Sequence, residues 1–365
     1  MALRTVEYMR WAKALPRRRY ALASSGVPMA GADVFDPRTA RIALDVHDAY
    51  GLDSLIEAIG RRYGAAPDRV LPLLGASTAN FIALGCVLQR RDRVLIEHPV
   101  YEPLLRVADF FELNVMPLQR RPENHFRFDP DTVEAELSRG TKAVLLSDLH
   151  NPSGVLCSEE DLRALANLTA SHGAYLIVDE VYRDYAVINR QVPQTTAAAL
   201  GDHVIVTNSL TKVYGLGALR AGWMLASPAV IERARDLLDH LCVINPTPSQ
   251  QLAVAAFEQL DRLAERTRRL YEAGYPVYRA WLDSRDDVVG YGNDGAVFEF
   301  PRIVGMSDTL PLCQMLAGEY DTSIVPGHFF GEAGHVRISF TLAPDLLTEG
   351  LDRISVALDR LRHSP

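Results

Sequence analysis

The sequence predicts an α/β protein built on a mainly parallel sheet flanked by helices, with a smaller α+β unit towards the C-terminus. Two observations predict it. Short apolar runs alternate with amphipathic stretches along most of the chain, and each run is continuous rather than alternating, as in strands covered on both faces. At 365 residues the chain is also too long for one ordinary core. Strand–helix alternation of this kind gives parallel strands joined by right-handed crossovers.

Met1 to Tyr20 is basic, carries Trp11 and lacks an apolar signal core, so it reads as an amphipathic first helix. Strands are expected at 93–97, 142–147, 174–179 and 203–207. Helical patterns lie at 77–89, 159–171 and 229–241. After the break at Pro246-Thr247-Pro248 a single long helical stretch is expected over 249–282. The final part has shorter strands at 296–300 and 335–340 and a last helix at 346–362.

Composition narrows the function classes. Hydrophobic residues make up 48% and charged residues 23%, ordinary for a globular protein, and the net charge is -8. Nucleic-acid binders show the opposite balance, so no nucleic-acid partner is expected. The apolar runs are strand-sized, so no membrane helix is expected. The four cysteines, Cys86, Cys157, Cys242 and Cys313, are widely spaced without CxxC pairing. They read as free thiols of a cytoplasmic protein, with neither a disulfide framework nor a metal site.

In an open α/β sheet ligands bind beyond the carboxyl ends of the strands, so the residues that follow each strand carry the functional signal. These are Pro99-Val100-Tyr101, His150-Asn151-Pro152-Ser153-Gly154, Asp179-Glu180-Val181-Tyr182, and Ser209-Leu210-Thr211-Lys212 followed by Arg220. Gly75-Ala76-Ser77-Thr78 opens the helix at 77–89. One rim thus collects an amide, an acid, phenols, a lysine, an arginine and a small-residue helix start. Together they describe a site for an anionic, aromatic, carbonyl-bearing ligand, and pyridoxal 5'-phosphate (PLP) fits the parts. Gly75, Ala76 and Ser77 offer backbone N–H groups to a phosphate; Ser209 and Arg220 add a hydroxyl and a guanidinium fork. Lys212 can condense with the aldehyde. Asp179 can keep the pyridine nitrogen protonated. Tyr182 and Asn151 can hydrogen-bond the ring oxygen, and Tyr101 can stack on the ring.

Each residue also has an ordinary reading. Asp179, Ser77 and Thr78 could be helix caps, Asn151-Pro152-Ser153-Gly154 a simple turn, and Arg220 half of a surface ion pair; His150 reads as support behind the site. Gly215-Leu216-Gly217 is not a dinucleotide fingerprint, because the next glycine is Gly222 and no strand directly precedes it. No GxxxxGK[ST] phosphate loop occurs.

As an ordered set the motifs resemble the fold-type-I PLP enzymes, in particular class I/II aminotransferases. The family's Asn-Pro-x-Gly appears as Asn151-Pro152-Ser153-Gly154, its Asp-x-x-Tyr as Asp179 to Tyr182, and its Ser-x-x-Lys with an arginine eight residues later as Ser209 to Lys212 and Arg220. The resemblance implies a seven-stranded large domain at 41–270, an N-terminal arm at 1–40 and a small domain at 271–365 that takes in both termini. It implies that Lys212 holds PLP as a Schiff base and then serves as general base. It implies that Arg337 grips the substrate α-carboxylate, with Asn151 beside it, and that the loop around Gly26 closes over the substrate. It implies a homodimer with shared active sites, in which Tyr50 reaches the partner's phosphate and the loop at 245–249 also crosses over.

The implied reaction moves an amino group from an L-amino acid to a 2-oxo acid. Dicarboxylate-specific relatives place a second arginine shortly before the segment resembling Asn245-Pro246. Here that stretch is Asp239-His240-Leu241-Cys242-Val243-Ile244, so a neutral or apolar amino donor is expected. The same residues also suit another PLP reaction, such as a β-lyase or a biosynthetic cyclase or hydroxylase. A PLP-binding sensor would carry an appended DNA-binding domain, and a scaffold would not need Lys212, Asp179 and Arg337 together.

Overall fold

The computed structural model describes residues 4–45 and 48–362. Met1–Leu3, part of the basic N-terminal stretch, lie outside the described residues. A seven-stranded sheet forms the centre, in the order Val70–Leu73, Gly222–Leu225, Val204–Ser209, Tyr175–Asp179, Ala143–Ser147, Arg93–His98, Asn114–Gln119. Only Gly222–Leu225 runs against the others, pairing antiparallel with both its neighbours. The inner strands are buried along their whole length, which is why they read as unbroken apolar runs rather than as alternation.

Each strand expected in this sheet is present to within about two residues, and the helix Glu159–Ser171 has the expected bounds. Its start is set by Ser158, whose hydroxyl accepts from the Asp161 amide at 3.0 Å. The stretch 249–282 is a correction. It forms two helices, Thr247–Phe257 and Leu260–Asp283. The chain leaves helical geometry at Gln259 (φ -114°, ψ 12°), so that the first helix packs against Asp53–Tyr63 and the second against Pro344–Arg362. One straight helix could not bury both apolar faces.

Two local arrangements place the site. The carboxyl ends of three strands lie level, with Ser147, Asp179 and Thr207 direct partners across the sheet. The N-terminal helix Glu7–Ala14 is held across this edge by the buried Glu102 carboxylate, which accepts from the Glu7 and Tyr8 amides at 3.1 and 2.6 Å. Further along, Tyr20 pairs in parallel register with Thr322. Among the described residues no helix is long and apolar enough to cross a membrane. Cys157 and Cys313 are buried, Cys86 and Cys242 half-buried, and all four are unpaired.

Candidate active site

A cavity of about 410 Å³ opens at this edge, walled among others by Ala76, Ser77, Tyr101, Asn151, Asp179, Tyr182, Ser209, Lys212 and Arg220. Nine residues read from separate motifs thus share one wall. They meet because every parallel strand of the sheet ends on the same side.

At one end the helix Ala76–Val87 begins at Gly75, with no side chain capping its first amides. Gly75 adopts φ +84°, and a Cβ there would fall 2.6 Å from the Arg220 guanidinium. Glycine therefore serves both the turn and the close approach. Arg220 donates to the Leu74 carbonyl at 3.1 Å, which aims it along the helix start. The Ser209 hydroxyl accepts from the Thr211 amide at 3.3 Å. Open amides, a guanidinium and hydroxyls form a cradle for a phosphate-sized anion.

At the other end Lys212 Nζ donates to Ser25 Oγ at 3.1 Å. Burial lowers the Lys212 amine to about 8, and the Arg337 and Arg220 charges act in the same direction against the Asp179 carboxylate. Asp179 is pushed up to about 6 by burial, while hydrogen bonds from Asn80 and the Val181 amide favour its ionised form. Asn80 donates to Asp179 at 2.7 Å and accepts from the Thr207 hydroxyl at 2.6 Å, so its amide cannot flip without losing a bond. Asp179 thus presents a fixed, ionisable carboxylate in a low-dielectric wall.

Arg337 is fully buried, and among the described residues no carboxylate pairs with it. It donates to Asn151 Oδ1 at 2.9 Å, the Tyr8 hydroxyl at 2.9 Å and the Ala23 carbonyl at 3.1 Å. Its Nε–H has no partner. The rings of Tyr8, Phe298 and Phe330 lie 5.1 to 5.7 Å from the guanidinium. A buried guanidinium satisfied only by neutral groups keeps its charge without a counter-ion.

Other expected residues fall outside the cavity wall. Arg337 stands behind Asn151, and Gly26 packs against the Lys212 backbone, where a Cβ would come within 3.1 Å of the Lys212 carbonyl. Tyr50 does not reach the cavity of its own chain; its hydroxyl donates to Asp239 at 2.9 Å and its ring lies 5.0 Å from Arg235. In the 245–249 loop, Asn245 is buried and donates to the Pro72 carbonyl of its own chain at 2.9 Å. His150 supports the site from behind, contacting the Pro99 carbonyl at 2.8 Å and Ser153 at 2.7 Å; burial holds it neutral, well below the usual imidazole range.

Sequence reasoning missed Tyr8 on Arg337 and Asn80 on Asp179, and it placed Ser25 only in the loop around Gly26, not as the acceptor from both Lys212 and Tyr182 (2.9 Å). Each acts on a residue distant in sequence. Asn80 left a trace, as an amide one turn into a helix that is apolar from Phe81 onward.

The cavity's contents fit PLP: a phosphate cradle, a lysine of lowered proton affinity, a buried carboxylate and a Tyr182–Asn151 pair lie around one space. Known proteins point the same way. The chain is 30% identical over 353 residues to a valine–pyruvate aminotransferase of Mycobacterium tuberculosis, covering 91% of this chain and 89% of that one. It is 29% identical over 312 residues to a capreomycidine synthase of Streptomyces vinaceus, covering 84% and 79%. A solved PLP-dependent aminotransferase of Streptococcus suis superposes with a TM-score of 0.92 over the full length of both chains at 22% identity, which speaks for the fold. A solved PLP-dependent cyclase, OrfR, superposes with a TM-score of 0.87 at 26% identity, covering 99% and 100%. Residues 37–354 match the family described as aminotransferase class I and II, and the chain is accordingly a member of that family, a PLP-dependent enzyme of the aminotransferase type.

Proposed function

We propose that this enzyme transfers the amino group of an L-amino acid with a neutral or apolar side chain to a 2-oxo acid, with Lys212 as the working amine. The observation that carries the reading is the placement of Lys212. Its Nζ lies in the same cavity as Asp179 and beside a phosphate cradle, and its proton affinity is lowered to about 8.

When bound, pyridoxal phosphate supplies an aldehyde that condenses with amines and a ring that draws electrons from the amino acid's α-carbon. The protein does the rest. Ala76, Ser77, Ser209 and Arg220 bind the phosphate, and Gly75 leaves the room for it. Asp179, ionised above about pH 6, holds a proton on the ring nitrogen. Tyr101 packs on one ring face, and Tyr182 and Asn151 donate to the ring oxygen. Arg337 grips the substrate α-carboxylate, through its free Nε–H and by exchange of the Tyr8 or Ala23 contact, which fixes the α-hydrogen near Lys212. Lys212, once free, takes that proton and returns it to the neighbouring carbon.

The donor class is supported by the segment 239–244. It carries no guanidinium and presents Leu241, Val243 and Ile244, each about half exposed or more. Together with Leu44, the most exposed large apolar residue among those described, these side chains also support self-association about a two-fold axis, with Tyr50 near the shared edge. Light scattering should then give twice the 40.4 kDa chain mass; a fully active single chain would overturn the dimer. The Tyr20–Thr322 pairing supports a small domain that takes in both chain ends.

A half-reaction screen tests the function. Loaded with cofactor and mixed with single amino acids, the enzyme should form one oxo acid per site and a stable aminated cofactor, fastest with a neutral or apolar donor. A cyclised or eliminated product without oxo acid would favour the second reading, a biosynthetic cyclase or lyase on the same scaffold, which the likeness to capreomycidine synthase and OrfR supports.

A further inference from the structure

Glu97 closes the strand Arg93–His98, is fully buried, and stands outside the cavity wall. One carboxylate oxygen accepts from the Ser147 amide at 2.8 Å and the Ser147 hydroxyl at 2.5 Å; the other accepts from Arg120 at 2.7 Å. Burial pushes Glu97 up to about 7, while Arg120 and the Ser147 donors favour its ionised form. In that form it only accepts, as arginine only donates, and the direction of each bond in this group follows. The Ser147 hydroxyl spends its one hydrogen on Glu97 and turns its lone pairs to the Asn151 backbone N–H, which donates to it at 3.0 Å. The Asn151 side chain is then divided between two partners. Its Oδ1 accepts from Arg337 at 2.9 Å and its Nδ2 donates to the Tyr182 hydroxyl at 3.3 Å. Tyr182 donates to Ser25 at 2.9 Å, and Ser25 accepts from Lys212 at 3.1 Å. A buried ion pair is thereby linked to the reactive amine by hydrogen bonds on either side of Asn151, whose backbone is held from Glu97 and whose side chain continues towards Lys212.

We propose that Glu97 is a positioning residue for this site: through Ser147 it fixes the Asn151 backbone, and with it the side-chain amide between Arg337 and Tyr182, and so sets the proton affinity of the cofactor's ring oxygen and the aim of Arg337. This rests on the reading that PLP lies against Asn151 and Tyr182. A carboxylate present only to neutralise Arg120 has no need of Ser147. Yet two of the three donors to Glu97 come from that residue, and Arg120 is already anchored through Nε to the Phe126 carbonyl at 2.6 Å.

The test uses the holoenzyme and reads the pH titration of its visible cofactor absorption, alongside KM and kcat for the amino donor. Glu97→Gln alone would leave Arg120 as a lone buried cation, so two other variants are used. Ser147→Ala removes the hydroxyl but keeps the Glu97–Arg120 pair. The double variant Glu97→Leu, Arg120→Met removes both charges and the acceptor of the Ser147 hydroxyl without touching the cavity wall. A hydrogen bond to the ionised ring oxygen favours that form, so loosening Asn151 should move the titration midpoint upward by about one unit in both variants. KM for the donor should rise about tenfold as Arg337 loses its aim. If the double variant titrates at the wild-type midpoint with wild-type KM, any effect of Ser147→Ala is local and the proposal is overturned. A wild-type protein that shows no such absorption band with PLP would overturn the cofactor reading itself, which is a separate outcome.

Discussion

Lys212→Ala is expected to lower kcat by about 10⁴-fold, because one substitution removes both the nucleophilic amine and the proton carrier. The phosphate cradle at Gly75, Ser209 and Arg220 is untouched, so PLP should still bind, but borohydride should no longer fix it to the protein. Folding should not suffer. The folded state depresses the Lys212 amine from 10.5 to about 8, so between those values the unfolded chain binds more protons. The wild-type cofactor-free protein should therefore gain stability as pH rises from 8 to 10.5. The alanine variant should lack that gain and melt no lower than wild type at pH 7. Turnover at the wild-type rate would refute the role of Lys212, and an unchanged stability profile would refute the cost of burying its charge.

The second large effect is expected at Arg337. Arg337→Lys keeps a positive charge but loses the planar fork that spans Asn151, Tyr8 and an incoming carboxylate. The expected loss is about 3 kcal/mol of substrate and transition-state binding, or roughly a 10²-fold drop in kcat/KM for amino donors. Because Arg337 also holds Asn151 Oδ1, the titration midpoint of the visible cofactor absorption should move upward as well. Wild-type kcat/KM in this variant would mean that the substrate carboxylate is held elsewhere, with Lys13, which also lines the cavity, as the alternative cation.

How much of this was legible in the sequence depended on the range of the interactions. The central strands were readable because burial on both faces writes itself as a continuous apolar run. Three strands of the sheet were missed: the edge strand Asn114–Gln119 is largely exposed and contains Pro117, so it shows no continuous apolar run. Val70–Leu73 is short and contains Pro72, and Gly222–Leu225 follows a glycine-rich turn with no crossover helix to announce it. The division at Gln259 was not visible because both flanking segments favour helix, and only the separate packing partners force the turn.

The amino-acid sequence by itself determined which chemical groups are present and on which rim they would meet. Strand ends and helix starts are local properties, and parallel strands must end on one side. The ordered motifs around Asn151, Asp179 and Lys212 therefore carried the fold, the family and the cofactor. Tertiary structure alone decided how those groups are held. Tyr8 meets Arg337, Asn80 meets Asp179, Ser25 meets Lys212, and Glu97 governs Asn151 through Ser147, across separations of up to 329 residues. No periodicity or spacing encodes such contacts. They exist because close packing brings distant polar atoms together in a low-dielectric interior, where each must find a partner, and that partner sets its charge and its aim.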